Sequence, residues 1–164
     1  MKFSLAGKKA LGEMEGCKLE MYLDSGGAPS IGIGHLLTKL ERTSGKIVIG
    51  TTAVDYREEL TEQQCWQLLD QDLSSAESAV NQAIKVPLNQ NQYDALVSFT
   101  FNVGNQAFAG STLLRLLNLG QYDQVPTQLA RWNKDNGQVV QGLINRRNKE
   151  IALWAEETQN APQT

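Results

Sequence analysis

The hydrophobic period of this chain changes partway along its length. From Thr61 onward apolar residues recur every three or four positions, whereas between Cys17 and His35 they alternate. A chain with two periods has to build two kinds of element. Cys65, Leu69, Leu73, Ala76, Val80 and Ile84 line one face of a long helix over about 61–83, stopped by Pro87. Thr61 with Gln64 three residues on is a capping box for its start. In the earlier stretch Leu19, Met21 and Leu23 alternate with polar or aromatic neighbours, and Ser25-Gly26-Gly27 reads as a tight turn. Ile31 and Ile33 alternate with glycines, so the segment predicts a small hairpin, with a third strand further on to complete a sheet. Pro29 belongs at a turn or at a strand's first residue, where its missing N–H costs nothing.

The remaining segments follow the same logic. Leu5, Lys9, Leu11 and Met14 predict a short first helix ending near Glu15–Gly16. Residues 36–59 read as loop, with an extra hairpin around Ile47-Val48-Ile49. Further helices are predicted from Asn89 to about Phe101, from Ser111 or Thr112 through Leu117, from Tyr122 to Trp132, and from Leu143 or Ile144 to about Ala155. Residues 134–142 read as a polar loop and 158–164 as a frayed tail. The expected architecture is α+β: one domain over 1–157, with a small β lobe (about 17–60), a larger helical lobe (about 61–157 plus the first helix), and the long helix joining them. A cleft between such lobes is where a polymer would lie.

At 164 residues the chain is long enough to bury a core without disulfides or metals. Fifteen basic against eighteen acidic residues leave a net charge of −3, which does not favour nucleic acid as a partner. An anionic polymer stays open, because a local cleft can be positive on an acidic protein. No run of seven or more apolar residues follows the first charges and no spanning segment occurs, so the expectation is a soluble protein without stable membrane insertion. Cys17 and Cys65 are compatible with one disulfide or with two thiols. A single histidine rules out a His-cluster metal site, and no cofactor motif occurs.

Two carboxylates stand out by position. Glu15 closes the first helix, and Asp24 lies nine residues on, beside two glycines at the hairpin tip. Glycoside hydrolysis uses such a pair: one carboxylic acid protonates the leaving oxygen and one carboxylate supports the nucleophile. An Asp before Ser-Gly is equally a turn-former.

The segment EGCKLEMYLDSGGAPSIGIGH, Glu15 to His35, resembles the signature of the phage-type (T4-like and lambdoid-phage endolysin) lysozyme family. Glu15 and Gly16 follow the first helix, Asp24 comes nine after the Glu, Ser30 six after the Asp, and Ile31, Gly32, Gly34 and His35 close the motif. FNVGNQAFAGSTLLRLLNLGQYD, from Phe101, and RWNKDNGQVVQGLINRR, from Arg131, are similar to the family in the same order. The resemblance covers about residues 10–155. It implies a lysozyme-like fold and a muramidase that hydrolyses the β-1,4 bond between N-acetylmuramic acid and N-acetylglucosamine in peptidoglycan. Glu15 would be the general acid, with Asp24 and the Ser30 hydroxyl positioning a water on the opposite face. Inversion would follow, which requires carboxyl groups about 6.5–9.5 Å apart. No metal and no cofactor are implied.

The resemblance also assigns supporting residues. Arg146, rather than the neighbouring Arg147, matches the family's arginine that pairs with the catalytic Glu. His35 has a structural place, holding the sheet lobe. Gly32 and Gly34 permit close backbone packing or approach of a sugar, and no P-loop Lys-Ser/Thr accompanies them. Asn102, Val103 and Gly104 match a turn at the cleft floor where Asn102 could bind a sugar, and turn formation alone explains them equally; Asn105 and Gln106 point the same way with less warrant. Trp66, Trp132 and Trp154 are expected in the core.

Serine at position 30 departs from the family's threonine, keeping the hydroxyl but losing the methyl that stiffens the rotamer. Retained activity is the expectation. Residues 36–60 are longer than in the smallest relatives: they could extend the cleft wall, contact the peptide stems or be decoration, and decoration is the favoured reading. With no export segment, the resemblance implies a monomer made in the host cytoplasm, released through a holin-type membrane lesion, and acting on the wall in the periplasm. Two alternatives remain at this level: a lytic transglycosylase acting on the same bond, and a wall-binding module without catalysis.

Overall fold

The structure is a computed structural model that describes residues 1–24 and 26–156. Ser25 of the expected turn and the expected tail at 158–164 lie outside the described residues. The chain divides into two compact units. One, the sheet unit, is Lys9–Ser74, and the other, the helical unit, combines Met1–Lys8 with the chain from Ser75. The division falls inside α1 (Leu5–Glu15) and α3 (Glu62–Ala83), so both helices contribute to both units.

In the sheet unit β1 (Lys18–Leu23), β2 (Pro29–Gly32) and β3 (His35–Leu36) form an antiparallel sheet in that order. Pro29 is the first residue of β2, opposite Leu23, as its missing N–H demands. Ile31 and Ile33 are buried, and so are Cys65, Leu69 and Leu73 on α3, on the face the periodicity assigned to the core, with Leu68 buried besides. Thr61 and Gln64 form the predicted box: the Thr61 hydroxyl accepts from the Gln64 N–H at 3.1 Å, and the Gln64 carbonyl from the Thr61 N–H at 2.9 Å. On α1, Gly12 faces the Trp66 ring so closely that a Cβ there would lie 2.5 Å from it.

The segment read as loop at 36–59 holds more order than expected. The hairpin is present as β4 (Lys46–Ile49) and β5 (Thr52–Asp55), with Ile47 and Ile49 buried and Val48 exposed. A short helix, α2 (Lys39–Ser44), precedes it. Thr38 and Glu41 cap it reciprocally, and Gly45 ends it at φ 73°. None of its six residues is buried, so it leaves no apolar period to read.

The helical unit is built around α4 (Gln90–Val103), whose residues from Tyr93 to Thr100 are all buried. A helix covered on every side needs neighbours all round, and α8 (Gln141–Ala155) is one that packs on it. α5 (Asn105–Ala109), α6 (Thr112–Asn118) and α7 (Val125–Ala130) complete the unit. The helix expected over 122–132 is instead a 3-10 turn, Tyr122–Gln124, followed by α7. Pro126 sits in the first turn of α7, where a missing N–H breaks no bond. The loop expected at 134–142 contains a two-stranded hairpin, β6 (Lys134–Asp135) and β7 (Gln138–Val139). Asn136 (φ 50°) and Gly137 (φ 76°) form its turn, an Asn-Gly pair suited to positive φ. α8 then begins two or three residues earlier than predicted. The fold class is the expected α+β, with small sheets in one unit and mainly helices in the larger one.

Candidate active site

Glu15, Asp24 and Ser30 all belong to the sheet unit. Glu15 is the last residue of α1 and half-buried, and Gly16 ends the helix at φ 72°, its N–H donating to Gly12 O at 2.9 Å. Asp24 is exposed at the hairpin tip, where its Oδ1 accepts from Gly26 N–H at 2.9 Å and Ala28 N–H at 2.8 Å. The turn-forming role is therefore real, and it also locks the direction of the carboxylate. Ser30 is buried in the middle strand, opposite Tyr22 and Leu36, and its hydroxyl donates to Ala28 O at 3.3 Å. With its proton committed to that carbonyl, Oγ can still accept.

Tyr22, on β1, connects the two carboxylates electrostatically. Its phenol is raised above the ordinary value by burial first, then by the charges of Glu15 and of Asp24. The helix end and the hairpin tip thus both act on one hydroxyl, a group the spacing of the motif could not place.

His35 is held at both ring nitrogens: Nδ1 lies 2.8 Å from Asp72 Oδ2 and Nε2 lies 2.9 Å from Glu41 Oε1. Burial pushes its pKa down, but the hydrogen bonds and charges of Asp72 and Glu41 outweigh that and raise it to about 9. For Glu41, burial pushes up, and the bonds from Thr38 and His35 win, leaving its carboxyl below the ordinary range. With both nitrogens engaged, the ring ties β3 to α2 and α3.

Gly32 is buried at φ 68°, where a Cβ would stand 3.7 Å from Leu68 and 3.8 Å from Cys65 Sγ. Its backbone conformation and close approach to α3 account for a glycine without any ligand. Gly34 is also left-handed, at φ 70°. Cys17 and Cys65 are free thiols, the first exposed and the second buried. The Cys65 thiol is pushed up to about 12 by burial, then by a hydrogen bond and charge from Cys17, and by Glu62.

Arg146, Asn102, Gly104 and Gln106 belong to the helical unit. Glu150 of α8 is almost fully buried, with its Oε1 2.6 Å from Arg147 Nε, its Oε2 3.5 Å from Arg146 Nε, and its Oε2 accepting from the Ser98 hydroxyl at 2.7 Å. Burial raises the Glu150 carboxyl above the ordinary range, and Arg147, Arg146 and Ser98 pull it back only in part. Arg146 also donates to Ser98 O at 3.1 Å, and Arg147 donates to Asn102 Oδ1 at 2.8 Å. Gly104 joins α4 to α5 at φ 99°, and Gln106 is exposed on α5. Of the tryptophans, Trp154 is buried, Trp132 meets Phe99 edge-on at 5.3 Å, and Trp66 is partly exposed.

Sequence reasoning missed Asp72, Glu41, Arg147 as a cluster member, and Glu150. The signal for the last was present: Arg146, Arg147 and Glu150 are spaced to meet on one helix face. Among the described residues no group of three or more His, Cys, Asp or Glu side chains is placed to hold a metal ion. Among the same residues no helix is long and apolar enough to cross a membrane.

A small sheet unit that carries the Glu15–Asp24–Ser30 motif and a separate, mainly helical unit are the parts of a lysozyme-like hydrolase. Residues 12–150 match the family model described as phage lysozyme. The endolysin of Salmonella phage P22 is 40% identical over 154 residues, covering 94% of this chain and 98% of the relative. Among solved structures, an endolysin from Escherichia coli O157:H7 phage FAHEc1 is similar at a TM-score of 0.77 and 35% identity, covering 95% of this chain and 94% of that one. The muramidase domain of SpmX from Asticaccaulis excentricus is similar at a TM-score of 0.75 and 32% identity, covering 95% and 99%. The chain belongs to the phage lysozyme family.

Proposed function

We propose that this protein is an endolysin that hydrolyses the β-1,4 bond between N-acetylmuramic acid and N-acetylglucosamine in peptidoglycan, with inversion. The observation that carries the reading is the geometry of the hairpin, where Gly26 and Ala28 N–H groups aim the Asp24 carboxylate and Ser30 Oγ, its proton on Ala28 O, can still accept, in the same unit as half-buried Glu15 at the end of α1. Two carboxylates in such a motif suit a reaction that needs an acid and a base. Glu15, half-buried at a helix end, protonates the departing glycosidic oxygen. Asp24, its direction set by the turn N–H groups, takes a proton from the attacking water. Ser30 accepts a hydrogen bond from that water through Oγ, whose own proton points to Ala28 O. His35 supports the sheet, Arg146 is a supporting residue, and Asn102, Gly104 and Gln106 contact the glycan.

Peptidoglycan is the partner, the working form is a monomer, and no metal or cofactor takes part. The protein is made in the host cytoplasm and reaches the wall through a holin-type lesion. Wild type and Glu15→Gln should be compared on purified peptidoglycan in H₂¹⁸O, with the products read by mass spectrometry. Reducing-end N-acetylmuramic acid carrying ¹⁸O is the expected product, and Glu15→Gln should lose at least about 10²-fold in rate. Anhydro-muropeptides would assign the lytic transglycosylase instead. Wall binding without release would assign the non-catalytic module.

A further inference from the structure

The ladder between β1 and β2 fixes which side chains share a face with Asp24. Tyr22 stands opposite Ser30 and Leu23 opposite Pro29. The ladder runs on past the end of β1, where Asp24 N–H donates to Ala28 O at 2.9 Å, and the irregularity in this pair falls earlier, between Lys18 and Tyr22. Residues opposite one another across a ladder share a face, and so do residues two apart on a strand. Tyr22, Asp24 and Ser30 therefore stand on one face, within the sheet unit, and Leu36, opposite Ser30 on β3, adds no polar group. The three polar groups differ in what they can offer. A carboxylate only accepts, and the Ser30 hydroxyl spends its proton on Ala28 O at 3.3 Å, so it too is left to accept. Tyr22 brings an O–H donor to the same face. Its ring is half-buried, and burial, then the charges of Glu15 and Asp24, raise the phenol above its ordinary range. The proton thus stays on it wherever a carboxylate is ionised.

We propose that Tyr22 is a further catalytic residue, whose hydroxyl donates a hydrogen bond to the water that Asp24 and Ser30 hold for attack. The role rests on the hydrolase reading, since a transglycosylase uses no attacking water. A water molecule has two protons and two lone pairs. Asp24 and Ser30 Oγ accept from the protons, and one lone pair attacks the anomeric carbon. The other lone pair needs a donor, and without one the water is held by acceptors alone. As Asp24 takes a proton, the water oxygen gains negative charge, and a hydrogen bond donated to it strengthens. The gain therefore falls in the transition state and not in substrate binding. The protons balance: Asp24 receives one from the water, Glu15 gives one to the leaving oxygen, and Tyr22 keeps its own throughout.

Tyr22→Phe removes the hydroxyl and keeps the ring. On soluble, uncrosslinked N-acetylated glycan strands we expect kcat to fall roughly 10–100-fold, the loss of one hydrogen bond to an oxygen that gains charge, with KM within about twofold. Ser30→Ala and the double variant complete a cycle, with every rate read at a temperature where each protein is folded. Two groups that hold one water do not act independently, so the double variant should lose less than the product of the two single losses. An unchanged kcat for Tyr22→Phe would overturn the proposal. So would a loss confined to KM, which would make Tyr22 a sugar contact, or single losses that multiply in the double variant, which would place its hydroxyl away from the water. In all three cases wild type still puts ¹⁸O from labelled water into the new reducing end, and the hydrolase reading stands. A wild-type protein that yields anhydro-muropeptides, or cleaves nothing, would overturn both together.

Discussion

The sheet unit and the helical unit each hold an ion cluster, and the two are opposites in charge. In the sheet unit one cation, His35, lies between two carboxylates, Asp72 and Glu41. In the helical unit one carboxylate, Glu150, lies between two guanidiniums, Arg146 and Arg147. The His35 side chain is 12% exposed, and its central group has an ordinary pKa of 6.5, so water and pH can still reach the cluster. The Glu150 side chain is 1% exposed, and burial is the largest influence on its carboxyl. The first cluster is thus a pH-dependent clasp that joins β3 and α2 to α3. The second lies inside a helix pair, with an exposed asparagine at its end.

The sharpest test of that contrast is Glu150→Ala, which removes the carboxylate that both buried guanidiniums meet and should cost about 3–5 kcal/mol in denaturant unfolding at neutral pH. A variant as stable as wild type would break the comparison. Next in size is His35→Asn. His35 is raised from 6.5 to about 9 in the folded protein, so its contribution is fully present below 6.5 and vanishes as the pH rises through about 9. The variant should lose roughly 2–3 kcal/mol at pH 6 and almost nothing relative to wild type above pH 10, measured by unfolding across that range. A loss independent of pH would mean that His35 acts by packing rather than by charge.

The smallest effects concern glycines with the same backbone but different surroundings. Gly32 is buried in the sheet unit at φ 68°, and Gly137 is exposed in the helical unit's hairpin at φ 76° with nothing within 4 Å of an added Cβ. Replacing either by alanine should cost about 1–2 kcal/mol, since the left-handed backbone sets the penalty at both. The nearest atom to a Cβ on Gly32 is at 3.7 Å, an ordinary contact. Thermal unfolding of the two variants should therefore give similar shifts, and a much larger one for Gly32→Ala would show that α3 packs too tightly there to accept a methyl.

Local chemistry was legible wherever the determining atoms lie within a few residues. Thr61 and Gln64 announce the start of α3, Pro29 the first residue of β2, and Gly16 the end of α1. The α+β class followed from the change of hydrophobic period. α2 was not legible by period because none of its six residues is buried, although its Thr38–Glu41 box stands in the sequence. Asn136-Gly137 was a hairpin signal with strands only two residues long on either side, too short to alternate. Pro126 marked the break between the 3-10 turn and α7, which apolar spacing alone runs together.

At the candidate site the same division holds. The motif places Glu15 at a helix end, Asp24 at a turn and Ser30 on a strand, and each stands there. What the motif could not supply is the half-buried Tyr22 phenol raised by burial and by both carboxylates, Asp72 on His35, or Glu150 against two arginines. The sequence by itself determined the longer elements, the cap of α3, the family and the residue types at the motif, because local structure depends on bonds spanning four or five positions. Only the tertiary structure decided which charges meet. His35 and Asp72 are 37 residues apart and Arg147 and Asn102 are 45, and an electrostatic contact depends on distance and burial in space, which no local periodicity encodes.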